Sequence, residues 1–220
     1  MMMSSLVISP EAGRGLFFLA VIVFVGWFAL GMIFNVRRGN AVARWLQEGL
    51  PLIGEKTTLR WLGTSGVELK IQHPRKPMLN VEIFILLEPR DIPFLWGYFH
   101  ARGRRDILIV RCQLPSHSAL QLEAADPRAW TARGARQESG RKLWASVPSP
   151  ADAHVTAFGE GRLEIAEKLL ALAASCELPL VRLAIRRDAP QLDVQWQLLR
   201  FGGVSSRRVF EILRQISDQL

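Results

Sequence analysis

The chain has 220 residues and a formal net charge of +8, with 49% apolar and 22% charged residues. This composition excludes a disordered or collagen-like chain and fits one folded domain beside a membrane segment. Arginine supplies most of the positive charge, which suits anionic lipid, RNA or an acidic protein face, although a genome rich in arginine codons gives the same excess.

Residues 15–34 form an uncharged stretch between Arg14 and Arg37. As a helix this stretch would rise about 30 Å, the thickness of a hydrocarbon core. Thirteen of its positions are Leu, Ile, Val or Phe, which favours membrane insertion by roughly 4 to 8 kcal/mol. We therefore predict a transmembrane helix over residues 15–35. A cleaved signal peptide is the alternative, but the leader is nearly uncharged and no small-x-small cleavage site follows the run.

The charges that flank the span predict its orientation. Arg37, Arg38 and Arg44 follow the apolar run, whereas Arg14 alone precedes it. The positive-inside rule then leaves residues 1–14 outside and the rest of the chain in the cytoplasm. The membrane would be the plasma membrane in a prokaryote and the endoplasmic reticulum in a eukaryote. Trp27 lies in the middle of the span, which favours a helix–helix contact there.

Residues 36–54 are predicted to continue out of the membrane as an amphipathic helix and a linker. Val42, Leu46 and Leu50 recur at helical spacing. The arginines of this segment either lie on anionic headgroups or serve only to set the topology. Both alternatives remain open.

Residues 55–220 are predicted to form one cytoplasmic domain of the α+β class, a mixed, mostly antiparallel sheet with packed helices. Residues 192–198 alternate apolar and polar side chains, which predicts a half-buried strand. Residues 94–103 form either a short aromatic helix or an exposed loop. The predicted strands are 57–63, 67–71, 81–87, 105–114, 120–122, 143–147, 154–158, 179–185 and 192–198, and the predicted helices are 159–176 and 205–220.

The segment from residue 126 to residue 142 is rich in Arg, Gly, Ala and Ser and predicts a loop. Cations beside an aromatic ring can bind phosphates and stack on bases. A solvated loop whose charges serve as spacers is the alternative. The residues that would make the contact are Arg128, Trp130, Arg133, Arg136, Arg141 and Lys142.

Catalytic chemistry is not indicated by any motif. The four histidines are scattered without metal-ligand spacing, so we expect no metal site. Gly159 and Gly161 precede a helix but lack the third glycine of a dinucleotide fingerprint and the lysine of a P-loop, which favours a tight turn. Cys112 and Cys176 are expected to be buried and reduced. We expect no cofactor and no enzymatic activity.

The order of the elements resembles the calumin family, the eukaryotic coiled-coil-domain proteins of the multipass translocon in the endoplasmic reticulum. The similar stretches are VRRGNAVARWLQEGLPLIG after the span, the hairpin TTLRWLGTSGVELKI, the strand–turn–helix HVTAFGEGRLEIAEKLL and the final helix VFEILRQISDQL. The resemblance covers most of the chain at the level of pattern. The family's long charged coiled coil has no counterpart in this sequence, and this puts a contact with the ribosome in doubt.

The resemblance implies a membrane-anchored cytosolic α+β domain without enzymatic activity that assists membrane-protein insertion, folding or assembly. The expected partners are a translocon or insertase component, or a membrane-protein client, together with an anionic lipid surface. The alternative hypothesis is a membrane-tethered domain that binds RNA, the ribosome or anionic lipid through the arginine-rich loop.

Overall fold

The computed structural model describes residues 9–115, 118–130, 144–150, 153–199 and 201–220. Its first helix, α1 (Pro10–Gln47), begins where the Ser9 hydroxyl accepts the backbone N–H of Ala12. A serine N-cap followed by proline in the first turn is a favourable helix start, since the proline lacks an N–H that would otherwise be unsatisfied. Among the described residues, α1 is the one helix long and apolar enough to cross a membrane. The predicted span and the helix after it therefore form one continuous rod.

Nine strands form one sheet in the order β1-β2-β3-β4-β9-β8-β5-β7-β6. Neighbouring strands pair antiparallel throughout the described part of the chain. The predicted α+β class is confirmed. The sheet, which was predicted to be mixed and mostly antiparallel, is antiparallel throughout the described residues. The strands are β1 (Gly54–Trp61), β2 (Gly66–Pro74), β3 (Asn80–Leu86), β4 (Ile107–Gln113), β5 (Gln121–Ala125), β6 (Ala145–Val147), β7 (Thr156–Glu160), β8 (Leu180–Ile185) and β9 (Leu192–Gln197).

Three further helices complete the fold of the described residues: α2 (Pro93–Ala101), α3 (Leu163–Ala174) and α4 (Ser206–Asp218). Of the two alternatives for residues 94–103, the helix is confirmed. A 3-10 turn (Leu50–Leu52) joins α1 to the first strand.

One face of the sheet carries the main hydrophobic core. It is covered by α3, α4 and the last three turns of α1. Val42 and Leu46 of α1 are fully buried there. Trp196 of β9 is also fully buried, and its indole N–H donates to the Ala173 carbonyl at 3.1 Å. The end of α1 is thus part of the domain core and is more than a linker.

The opposite face of the sheet carries ion pairs and a smaller apolar cluster. Arg111 of β4 pairs with Asp193 of β9 at 3.1 Å, and Arg182 of β8 forms two hydrogen bonds with Glu123 of β5. Asp193 and Gln195 are each only 3% exposed. The prediction that β9 is half-buried is therefore wrong, because long side chains from neighbouring strands cover its polar face.

Most other local predictions agree with the structure. The predicted helix 159–176 is wrong at its start, since Gly159 and Glu160 end β7 and the helix begins at Leu163. The β1–β2 hairpin has the register Trp61↔Val67, with β2 placing alternate apolar residues in the core. Cys112 and Cys176 are buried and free. Gly161 adopts φ +98° in the turn before α3, and a side chain there would press on the Ala119 carbonyl, so the tight turn requires glycine.

Candidate functional site

Several polar side chains are buried where α1 meets the loop between β3 and α2. Gly31 of α1 lies directly against this loop, since a β-carbon there would overlap the backbone of Arg90 and Asp91. This close approach lets the helix and the loop exchange hydrogen bonds. We call the cluster formed by Asn35, Arg38, Glu88, Arg90 and Asp106 the junction.

Asn35 is the helix residue at the centre of the junction. Its side chain is fully buried. The amide Nδ2 donates to the Glu88 carbonyl at 3.0 Å, and Oδ1 accepts from Arg90 Nη1 at 3.2 Å. Both ends of the amide are thereby satisfied, which a buried polar group requires.

Asp106 is the acceptor for most of the donors in the junction. It is 5% exposed, and the Arg90 guanidinium donates to it from two nitrogens, at 2.9 and 3.1 Å. Arg38 Nε donates at 3.3 Å, and the Glu88 backbone N–H donates at 2.9 Å. Two guanidiniums and a backbone N–H thus converge on one carboxylate, and these charge-assisted bonds fix the helix to the domain.

Arg38, which the sequence predicted to be topogenic, is built into this cluster. Besides Asp106, it donates to the Leu198 carbonyl, and its guanidinium lies 4.7 Å from the centre of the Phe201 ring. Arg37 and Arg44 are exposed on α1. The three arginines therefore differ in setting, because Arg38 belongs to the junction whereas Arg37 and Arg44 do not.

Glu88 links the junction to α2. It is 3% exposed, and its Oε2 accepts the indole N–H of Trp96 at 2.7 Å. His100 Nδ1 lies 2.9 Å from the same oxygen, and Arg90 lies 3.6 Å from Oε1. The carboxylate thus turns the Trp96 indole N–H and the Nδ1 of His100 inward.

Aromatic rings from α2 pack along α1. The rings of Phe24 and Phe94 are stacked at 6.5 Å, and those of Trp27 and Trp96 are 6.2 Å apart. The Trp27 indole also donates to the Arg90 carbonyl at 2.9 Å. Trp27 does lie at a helix–helix contact, and the second helix comes from the same chain.

Of the arginine-rich segment, the structure describes residues 126–130. Arg128 is exposed, and its backbone N–H donates to Asp126 Oδ1 at 2.8 Å. Trp130 packs on the small apolar cluster of Ile107, Ile109 and Val181. The remaining predicted contact residues lie outside the described residues: Arg133, Arg136, Arg141 and Lys142.

Arg104 is a residue of this region that sequence reasoning missed. Its guanidinium lies 4.8 Å from the centre of the Trp130 ring and 5.0 Å from that of Phe99. Burial lowers the pKa of Arg104, although the nearby Glu88 and Asp106 oppose that shift. One face of Trp130 is therefore occupied by a cation of the same chain, which disfavours stacking of a base on that face.

A shallow pocket opens beside Trp130. Arg105, Arg128 and Asp126 line it together with Val181. The two arginines of the lining suit a small anion that accepts from a guanidinium fork, whereas the Asp126 carboxylate opposes its binding. Among the described residues, no cluster of His, Cys, Asp and Glu is placed to hold a metal ion.

The junction as a whole was not predicted from the sequence. No motif in the sequence points to Asn35, Glu88, Arg90 or Asp106. The run EPRD, directly after a buried strand, is nonetheless a signal for this cluster. Charged side chains so close to a buried strand must find partners if they are buried as well.

Comparison with known proteins adds no identification. No protein-family model matches the sequence, and a search of curated proteins gives no significant match. The resemblance to the calumin family stays a prediction, and the functional argument starts from the geometry of the site.

Proposed function

We propose that this chain is a single-pass membrane protein with its N-terminus outside and its α+β domain held at the cytoplasmic surface. Only 6% of the most apolar window of α1 is buried within the protein, which is unlike the core helix of a soluble domain. The turns after that window are part of the domain core, with Asn35, Val42 and Leu46 buried. Cleavage after the apolar run would remove Trp27 and Gly31, through which α1 contacts the loop at Arg90, and this supports an uncleaved anchor.

The domain acts as a non-enzymatic interaction module for membrane-protein insertion, folding or assembly. The observation that carries this proposal is the junction, because its ion pairs fix the domain against the span. A domain tethered by a flexible linker would sample many distances from the bilayer. A domain fixed to its span presents one surface beside the membrane, where a client helix is within reach. The role in biogenesis itself rests on the resemblance to the calumin family.

Affinity purification of the full chain from mild detergent tests this function. Translocon or insertase subunits, or nascent membrane proteins, should be recovered with the wild-type chain. The Arg90→Gln variant keeps the span but weakens the junction, so it should recover less of the same partners. Arg207→Gln, which removes one exposed arginine on α4, is the matched control and should behave like the wild type. Recovery of none of these partners by the wild type would reject the proposal.

Binding of an anionic group beside the arginine-rich segment is a second candidate function. It is favoured by the pocket where Arg105 and Arg128 lie beside Trp130. The occupant would be a phosphate of RNA or of an anionic lipid. Replacement of Arg128, Arg133, Arg136 and Arg141 with Gln should weaken binding and flatten its salt dependence. Unchanged binding to both RNA and phosphatidylglycerol vesicles would exclude this candidate.

A further inference from the structure

Helix α2 exposes more apolar surface than a helix in water should. Its sequence is PFLWGYFHA, and none of its residues is buried within the protein. Phe94 is 70% exposed and Tyr98 is 51% exposed. Contiguous exposed aromatic residues on a monomeric domain mark a contact with a membrane or another protein.

The position of α2 indicates what covers this surface. The helix lies beside the apolar part of α1, with Phe94 stacked on Phe24 and Trp96 close to Trp27. Phe24, the deeper of these two contacts, precedes Phe34 at the end of the apolar run by ten positions in the sequence, a rise of about 15 Å along the helix. Half of a hydrocarbon core is also about 15 Å thick. The contact between α2 and α1 therefore lies within the leaflet that the basic end of α1 faces.

The exposed residues of α1 at the same level point to the same environment. Leu30 is 69% exposed and Phe34 is 53% exposed, and both lie between the α2 contact and Arg37. If α2 were in water, these side chains would be in water as well. A bilayer that covers the apolar run of α1 also covers α2.

We infer that α2 is immersed in the cytoplasmic leaflet, with lipid acyl chains against Phe94 and Tyr98, as a second membrane contact of the domain. This inference rests on the proposed membrane span. It adds an element that the span alone does not require. An anchor of one helix leaves the span and the domain, as one body, free to tilt relative to the membrane normal. A second contact fixes the face that the domain turns to the bilayer.

The polar groups of α2 are arranged for such an environment. The indole N–H of Trp96 and the Nδ1 of His100 turn inward to Glu88. Just beyond the C-terminal end of the helix, Arg105 donates to the carbonyls of His100 and Arg104. The Gly103 N–H also donates to the His100 carbonyl, so that carbonyl is satisfied without water. The lipid-facing side of the helix is therefore formed mainly by hydrocarbon and ring surface.

The basic residue that follows the helix fits the headgroup layer. Arg102 is exposed, and its guanidinium lies 4.4 Å from the centre of the Tyr98 ring. A tyrosine with an arginine above it is typical of the membrane interface, where the ring meets the acyl chains and the cation reaches a phosphate. The helix would then run from Phe94, its deepest residue in the leaflet, toward the headgroups at Arg102.

Nitroxide labels on the full chain in vesicles of phosphatidylcholine and phosphatidylglycerol test the inference. The single substitutions Phe18→Cys, Phe94→Cys and Leu79→Cys place labels on α1, on α2 and on a domain loop. All three positions are at least half exposed, so the fold should tolerate the label. The native cysteines are buried, and the labelled wild-type chain gives the background. Thermal unfolding in detergent confirms that each variant is folded.

The readout is the accessibility of each label to oxygen, which partitions into lipid, relative to a water-soluble nickel chelate. We expect the ratio at position 94 to match that at position 18 and to exceed that at position 79 several-fold. A label at 94 that behaves like the label at 79, with 18 in lipid, overturns the inference and leaves the span intact. A label at 94 shielded from both reagents identifies a protein occupant and also overturns it. A label at 18 in water would reject the span itself.

Discussion

Asp106 holds the junction together because it is the shared acceptor of two guanidiniums. Its burial means that water cannot replace the lost charge when the carboxylate is neutralised. Arg38 and Arg90 would then keep their charges without a counterion, and breaking a buried pair on one side is far more costly than deleting both partners. The residue therefore offers a direct test of how strongly the span is fixed to the domain.

We predict that Asp106→Asn lowers the free energy of unfolding of the domain by about 3 kcal/mol. Urea unfolding of the detergent-solubilised chain, followed by tryptophan fluorescence, measures the change. Asp218→Asn is the matched control, because Asp218 is exposed on α4, and it should leave stability within about 0.5 kcal/mol of the wild type. Equal stabilities of the two variants would show that the junction is not a stabilising cluster.

Cys112 provides a test of the core through pH. Burial raises the pKa of its thiol, and the nearby Asp193 acts in the same direction. The folded thiol therefore stays protonated where the unfolded thiol, with its ordinary pKa of 9.0, ionises. Ionisation favours the unfolded state, so the stability that the raised pKa provides is present below pH 9 and is lost as pH rises above it.

Between pH 8 and pH 10 the wild-type chain should lose about 1.4 kcal/mol of stability relative to Cys112→Ala, which has no thiol at this position. Urea unfolding of both proteins at the two pH values gives the difference, and Cys176 is common to both and cancels. Parallel behaviour of the two proteins would mean that the thiol ionises as easily in the folded state as in the unfolded one.

At the level of elements, the fit of α1 to the loop before α2 depends on one glycine. Gly31 contacts the backbone of Arg90, whereas a side chain at Gly26 would meet nothing within 4 Å. The two glycines lie on the same helix and in the same apolar run. They differ only in what faces them.

We predict that Gly31→Ala separates α1 from the loop and destabilises the domain by about 1 to 3 kcal/mol, the range for overpacking a close contact. Gly26→Ala should be neutral or slightly stabilising, since alanine favours a helix over glycine. Thermal unfolding in detergent compares the two variants. A loss of the same size from both would mean that helix propensity, rather than the contact with Arg90, sets the result.

The sequence predicted most elements because their periodicities are local. Alternation in residues 67–71 located a strand, and helical spacing located α3 and α4. The buried polar face of β9 was missed because Arg111, which covers Asp193, comes from a strand 82 positions away in the sequence. The junction was missed for the same reason, since Asn35 and Arg90 are 55 positions apart. Patterns within an element do not encode such pairs.

At the level of the whole molecule, α1 and the sheet form one body in which the apolar run of α1 leads into the core without an intervening linker. We propose that the charges on the two sides of the run set the orientation of that body in the membrane. Arg37 and Arg44 are exposed and are not part of the junction. They can therefore be changed without breaking the fold, unlike Arg38.

We predict that a cysteine at Leu79 is protected from a membrane-impermeant maleimide in intact cells and is labelled after permeabilisation. A cysteine at Ala12, which precedes the apolar run, should be labelled from outside, and its recovery in the mature chain also excludes cleavage after the run. The paired change Arg37→Glu and Arg44→Glu reduces the positive charge that retains the domain inside. It should increase the fraction of chains with the opposite orientation, whereas Arg207→Glu, far from the span, should not. If the cysteine at position 79 is labelled in intact cells with Arg37 and Arg44 unchanged, the domain lies outside. The arginines after the apolar run would then have no topogenic role.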